Sequence, residues 1–237
     1  MTTSPTDIHA EIGTIPVWRH RIEVSPGIVT PGVEDNATEL ARLEIPRALA
    51  GTRVLDIGCS DGFYSFECER RGAEVVSIDD ESSLLAGGRN GMTVARDLLG
   101  SSVDYHPGDV HELDPERDGT FDVVLFINVL YHLRNPILAL DRIAAVTRPG
   151  GTLVLKTYFR NDVHFWWRGR RFGFDLDKRP KWWFFPESQL GGDPTNWFAP
   201  NSAALEGALR ATGWEAIRRV GRHGDRLYYH ARRQSSA

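Results

Sequence analysis

Gly58-Cys59-Ser60-Asp61-Gly62 is the densest group of chemically suggestive residues in this 237-residue chain. It follows a short apolar run, Arg53-Val-Leu-Asp-Ile57, and precedes a helix-like stretch, so it reads as a strand-to-helix loop. Glycine permits a tight turn and close ligand approach, and a helix start offers unbonded backbone N–H groups. A dinucleotide fingerprint would need glycine at Ser60 and Phe63, so that pattern fails. Gly-x-Ser-x-Gly fits the letters of a nucleophile elbow with Ser60 attacking. An elbow serine, however, follows several strands, and this strand is the first of its series. A tight turn without a ligand is the plain alternative.

Later loops add acids at comparable places. Asp79 ends the second strand, with Asp80 and Glu81 beside it as loop acids, and Asp109 follows the third strand in Pro107-Gly-Asp-Val110. His106 and His111 flank Asp109, but no third ligand stands at a recognisable spacing, so no metal is expected.

The elements that position these loops follow from periodicity. Strands are expected at 53–57, 74–78, 103–106, 121–127 and 152–156. Helices are expected at 34–50 (broken by Pro46), 61–71, 82–99 and 136–147, with a Pro149-Gly-Gly turn. The 61–71 stretch spaces Phe63, Phe66 and Glu67 for one helix face and stops at Gly72. Strands separated by helices need crossovers, which build a parallel sheet whose ligands sit beyond the C-terminal strand ends. Asn201-Ser202 starts a helix closed by Gly213, and 214–220 with 225–231 resemble a terminal hairpin. Residues 16–32 read as an irregular arm.

Composition is that of a globular chain, with 41% hydrophobic and 25% charged residues. No apolar run approaches the ~18 residues of a membrane helix, and the polar start lacks a signal core. A cytoplasmic protein without membrane attachment is the expectation. Cys59 and Cys68 are too few for a disulfide framework. Charge is uneven: 13 Arg, no Lys and 24 acids before Lys156 give −11, whereas 15 basic and 8 acidic residues from there give +7. Of 24 aromatic residues, 13 lie between Tyr158 and Phe198.

Val54-Leu-Asp-Ile-Gly-Cys-Ser-Asp-Gly62 resembles the first motif of class I S-adenosyl-L-methionine (SAM) methyltransferases. The resemblance implies an α/β, Rossmann-like fold. It would be a seven-stranded, mostly parallel sheet with helices on both faces, an antiparallel C-terminal hairpin and an aromatic cap insertion. The organisation expected is an arm and helix over 1–50, then a SAM-dependent methyltransferase domain over 51–237 with its cap at 158–199. Asp56 and the loop residues Gly58, Cys59, Ser60 and Gly62 would cradle the amino-acid end of SAM. Asp79, with Asp80 next to it, would accept the ribose hydroxyls. Asp109 would receive the adenine amino group while Val110 meets the ring.

Phe121 to Pro136 reads FDVVLFINVLYHLRNP, similar to the matching segment of tRNA wobble-uridine carboxymethyltransferases and their shorter methyltransferase relatives. Trp197-Phe-Ala-Pro-Asn201, Gly213-Trp214, Trp18-Arg-His20 and Thr30-Pro-Gly32 are similar to that group as well. The match implies cofactor contacts at Ile127, Asn128 and Tyr131. The carboxymethyltransferases use a lysine soon after the N-terminal tryptophan. Here His20 stands there, the first lysine is Lys156, and this sequence shows no counterpart of their longer N-terminal segment. Plain SAM is therefore the expected cofactor.

Methyl transfer is an in-line displacement in which the protein positions reactants and excludes water. His132 is the first candidate for a base, Tyr131 for aligning the acceptor or facing the sulfonium, and His20 for a lid. A backbone-satisfied histidine is the alternative for both imidazoles. The 158–199 insertion, with Trp166-Trp167, Trp182-Trp183 and Phe184-Phe185 beside Arg168, Arg170, Arg171, Arg179 and Lys181, suits an aromatic or anionic acceptor. A self-packed cap or a homodimer surface is the other explanation. The expected activity is transfer to a hydroxyl or amine of a small metabolite, a sugar or a secondary product. Methylation of a modified wobble uridine in tRNA comes second, and a non-catalytic SAM-binding protein third.

Overall fold

Helix α1 (Pro5–Gly13) was not foreseen, although its start is written in the sequence. Ser4 accepts from the Asp7 N–H and Pro5 occupies the first turn, a pairing that initiates helices. The computed structural model describes residues 4–34, 36–80, 82, 85, 88–174 and 178–235, and only the backbone at 164, 166, 170 and 171. The chain forms two units, Met1–Asp109 and Val110–Ala237.

In the first unit, strands β1 (Glu23–Ser25) and β2 (Ile28–Val29) pair about Pro26-Gly27, giving the arm a small hairpin. Gly27, at φ +76°, supplies the left-handed corner that a Pro-Gly turn needs. Helix α2 (Asn36–Leu43) is shorter than the stretch expected to Ala50. Strand β3 (Arg53–Ile57), helix α3 (Phe63–Arg70) and strand β4 (Glu74–Asp79) follow as read. The buried face of α3 is Tyr64, Ser65, Phe66 and Cys68, whereas Phe63 and Glu67 are only half-buried. The expected helix from Ser82 begins only at α4 (Gly91–Leu99), where Asn90 and Thr93 form a reciprocal capping box. Leu85 and Arg89 instead make an isolated bridge, and Glu81, Ser83, Leu84, Ala86 and Gly87 lie outside the described residues. Strand β5 (Asp104–Pro107) completes a parallel β3-β4-β5 order.

The second unit opens with short helix α5 (Pro115–Asp118), strand β6 (Phe121–Ile127), helix α6 (Pro136–Val146) and strand β7 (Thr147–Tyr158). Pro149-Gly-Gly is not a free turn. Strand β7 runs through it, and an irregularity in the β6 pairing absorbs the extra residues. The insertion holds two hairpins: β8 (Val163–Trp167) with β9 (Arg170–Phe174), and β10 (Trp182–Phe184) with β11 (Phe198–Pro200). Asn201 caps helix α7 (Ser202–Ala211) by accepting from the Ala204 N–H. Strands β12 (Trp214–His223) and β13 (Arg226–Arg233) are the antiparallel C-terminal hairpin, ordered β12-β13-β7-β6 with β6 and β7 parallel. The seven strands belong to one mixed, mostly parallel sheet. Its second-unit core is built on large buried side chains: Phe121, Phe126, Leu155, Trp214, Tyr228 and Tyr229 are all at most 1% exposed.

Candidate functional site

In the first unit the loop after β3 is held from below. The N–H groups of Gly58 and Cys59 donate to the Ile78 carbonyl at 2.8 and 3.2 Å. Ser60 sits at φ +53° between Gly58 at +70° and Gly62 at +86°. The loop therefore keeps a conformation suited to glycine although its middle residue is serine. The Ser60 N–H donates to Asp79 Oδ2 at 2.7 Å, and the Asp80 N–H to Asp79 Oδ1 at 2.8 Å. Burial pushes the Asp79 carboxyl up despite these donors, whereas the Ser82 hydroxyl and N–H pull exposed Asp80 down.

Asp56 turns into the core, where the Ser65 hydroxyl donates to it at 2.6 Å and the Ser77 hydroxyl meets Ser65 at 2.9 Å. Burial raises the Asp56 carboxyl to about 7; Ser65 opposes that shift and the Asp79 charge adds to it. Asp61 fastens the arm: its Oδ2 accepts the N–H groups of Arg19 and His20 at 2.6 and 2.8 Å. Thr30 accepts from the Ile22 N–H and donates to the His20 carbonyl, and a side chain at Gly32 would overlap the His20 backbone. His20 is buried, with Tyr64 edge-on at 5.6 Å and Glu34 Oε2 3.9 Å from its Nε2. Asp109 and His106 are exposed.

In the second unit Val110 and Ile127 are buried, and Asn128 follows β6 at φ +62°. Asn128 Oδ1 and Thr157 Oγ1 are buried without a hydrogen-bond partner among the described residues. An unfilled buried acceptor costs stability unless something else occupies it. Tyr131 and His132 form a single 3-10 turn, Leu130–His132. Tyr131 is buried, with Tyr158 edge-on at 4.6 Å and Phe185, Leu190 and Ala199 in the same cluster. The Arg226 guanidinium lies 3.1 Å from the Tyr158 ring centre and 5.3 Å from that of Tyr131. His132 is half-buried, with Nδ1 at 2.9 Å from Thr195 Oγ1 and 3.2 Å from the Thr195 carbonyl. His111 Nε2 approaches the Asn135 carbonyl at 3.2 Å, and no three metal-type side chains cluster among the described residues.

Two of the cations expected around the insertion have described neighbours. Arg168 stacks over Trp167 on the β8–β9 hairpin, Lys181 pairs with Asp162 at 2.6 Å, and the side chains of Trp166, Arg170 and Arg171 lie outside the description. Over the aromatic cluster stand Arg226 and Arg160, with Arg134 over Trp197 at 4.3 Å. Arg134 lies within the 121–136 segment quoted above, whereas no local motif marks Arg160 or Arg226, and only the fold brings Arg226 to residues far upstream.

Residues 32–218 match a family described as a methyltransferase domain. A ubiquinone biosynthesis O-methyltransferase of Xanthomonas campestris pv. campestris (strain B100) is 39% identical over 121 residues, 50% of this chain and 48% of that protein. The Azotobacter vinelandii (strain DJ / ATCC BAA-1303) enzyme of that name is 33% identical over 153 residues, 65% and 64% of the two chains. This chain thus spans between about half and two-thirds of these curated relatives. The N-terminal domain of EvdMO1, solved in the presence of SAH and D-fucose, superposes with a TM-score of 0.67 at 18% identity, covering 98% of each chain. A Burkholderia thailandensis 1,6-didemethyltoxoflavin-N1-methyltransferase with bound 1,6-didemethyltoxoflavin and S-adenosylhomocysteine gives 0.57 at 18% identity, covering 99% and 92%. These structures share the fold.

Proposed function

The chain belongs to the SAM-dependent methyltransferases, and we propose that it moves a methyl group from SAM to a hydroxyl or amine of a small aromatic or anionic acceptor. The observation that carries this reading is the left-handed Gly58–Gly62 loop tied through Ser60 to the Asp79 carboxylate. A carboxylate keeps acceptor capacity beyond two backbone donors, which suits a vicinal diol. The donor chemistry therefore fits the cofactor. When bound, SAM supplies an electrophilic methyl group on a sulfonium sulfur.

In this reading Gly58, Cys59, Ser60 and Gly62 present backbone to the amino-acid end, and Asp79 accepts the ribose hydroxyls. Asp109 and Val110 take the adenine side, and Asp56 supports the loop from beneath. Ile127, Asn128 and Tyr131 line the path to the reacting methyl, while His20 braces the arm. His132 takes the acceptor proton as the acceptor's lone pair forms the new bond to the methyl carbon. Bound SAM would supply the methyl carbon and keep the electron pair of its carbon–sulfur bond, and the proton leaves His132 to solvent after release. Arg226, Arg160 and Arg134, each over an aromatic ring, favour an acceptor with a negative group or a π-face.

Relatives named for a ubiquinone precursor pathway and for toxoflavin support a small acceptor. The same arginine–aromatic pairs suit stacked bases and phosphates, which keeps a modified wobble uridine as the second reading. Methyl-labelled SAM supplied with a desalted metabolite extract, and separately with total tRNA, distinguishes them. Label in small molecules supports the proposal, and label in tRNA reverses the order. Tight SAM binding without labelled product in either overturns catalysis. His132→Ala should cut transfer on the order of 10²–10⁴-fold while SAM affinity holds.

A further inference from the structure

Asp193 and Thr195 lie 61 and 63 residues beyond His132 in sequence, yet the fold brings them into one hydrogen-bonded line with its imidazole. Thr195 Oγ1 donates to Asp193 Oδ1 at 2.7 Å, and the Thr195 N–H donates to that same oxygen at 2.8 Å. His132 Nδ1 meets both Thr195 Oγ1 and the Thr195 carbonyl. A carbonyl can only accept, and a hydroxyl whose single proton goes to a carboxylate offers its neighbour only lone pairs. Nδ1 must therefore carry the hydrogen in the neutral ring, and the lone pair resides on Nε2.

The segment that supplies these partners is itself built in. The Trp197 N–H donates to the Tyr131 carbonyl at 2.7 Å, Asn196 Nδ2 to the Leu190 carbonyl at 2.8 Å, and the Asn196 N–H to the Asp193 carbonyl at 3.2 Å. Asn196 is 3% exposed. The loop thus grips the Leu130–His132 turn by its backbone and by its histidine.

We infer that Asp193 and Thr195 are positioning residues that fix His132 in the Nδ1–H tautomer and present Nε2 as the proton acceptor. The inference rests on reading His132 as the base. When the ring gains the acceptor's proton at Nε2, Nδ1–H becomes a stronger donor to Thr195 Oγ1. The Asp193 charge then stabilises the imidazolium through the hydroxyl, the logic of a base oriented by a third group. Arg134 and Arg226, stacked on the neighbouring Trp197 and Tyr131, oppose that charge, so the effect is measured as a difference between variants. The acceptor's O–H or N–H bond breaks as the Nε2–H bond forms; Asp193 and Thr195 make and break no covalent bond and only hold the proton's destination in place.

The test needs no known acceptor. Long-range ¹H–¹⁵N spectra of the full chain, with the His132 signals assigned by their loss in His132→Ala, report tautomer and titration together. The wild type should show the Nδ1–H form. Thr195→Val should raise the Nε2–H population and lower the titration midpoint, Asp193→Asn should lower the midpoint, and Thr195→Ser should restore both. An Nε2–H wild type, or a Thr195→Val variant that leaves tautomer and midpoint unchanged, overturns the inference. Label transfer to the metabolite extract should fall on the order of 10–100-fold in Thr195→Val and Asp193→Asn at unchanged SAM affinity, and recover in Thr195→Ser. If His132→Ala transfers label at the wild-type rate, the base reading fails and the inference falls with it. If His132→Ala is inactive while Thr195→Val and Asp193→Asn match the wild type, only the relay is wrong.

Discussion

The Ser60 amide donates to the Asp79 carboxylate at 2.7 Å, so the acid ending one strand holds the loop that follows its parallel neighbour. Asp79→Ala removes an acceptor for the cofactor and the brace of the loop at once. Hydrogen bonds to charged groups contribute about 1.5–3 kcal/mol. Calorimetry should accordingly show SAM bound roughly 10–100-fold more weakly. Asp79→Asn, which keeps an acceptor for Ser60, should lose less. Wild-type affinity in Asp79→Ala would remove Asp79 from the site.

Asp56 makes stability depend on pH in the direction opposite to a salt-bridged acid. Its carboxyl stands at about 7 in the folded chain, against about 3.9 when unfolded. The native state therefore binds the extra proton between about pH 4 and 7, and stability falls as pH rises through that window. Three pKa units bound the effect at about 4 kcal/mol. Asp56→Asn keeps an acceptor for Ser65 but never ionises. Urea denaturation should find it more stable than the wild type at pH 8 and little changed at pH 4.5. Equal stability at pH 8 would show that Asp56 is not buried in charged form.

A methyl group at Gly91 would overlap Asp61 Oδ1, the carboxylate that accepts from Arg19 and His20. Gly91→Ala should therefore cost about 1–3 kcal/mol through overpacking. Limited proteolysis should cut it first within residues 14–34, because the arm loses its fastening. Cleavage elsewhere with the arm intact would count against that link.

Burial pushes both thiols up, Cys68 to about 12, and the charges of Asp56 and Asp79 push Cys59 the same way. Only the thiolate attacks a disulfide reagent. Neither cysteine should react with such a reagent in the folded protein at pH 8, and both should react in urea. Rapid native labelling of Cys59 would mean that the glycine loop opens readily.

Strands with continuous apolar runs were legible from the sequence: 53–57 and 121–127 are observed with the same ends. Caps were legible where the residue types are unambiguous, as at Asn201. Ser4-Pro5 carried the same kind of signal, but the polar residues around it hid the Ile8 and Ile12 stripe that α1 buries. Periodicity ran ahead of the observed helix start, because Leu85 and Arg89 pair in a local bridge before the Asn90 cap. Asp79 and Ser60 could be named as site candidates because one ends a strand and the other lies in the glycine loop that follows one. Arg226, Thr195 and Asp193 could not, because their meaning arises only from contacts across 60 or more residues. The insertion announced its composition but not its pairing, since aromatic side chains serve strands and caps alike.

Among the described residues the β8–β9 hairpin pairs only with itself, and it leaves Phe165, Trp167, Phe172 and Phe174 between 39% and 59% exposed. Two open strand edges beside stacked rings form a template for adding further strands. Purification yield and shelf life should therefore depend on concentration, and a lysine placed at Phe165 or Phe174 would extend both.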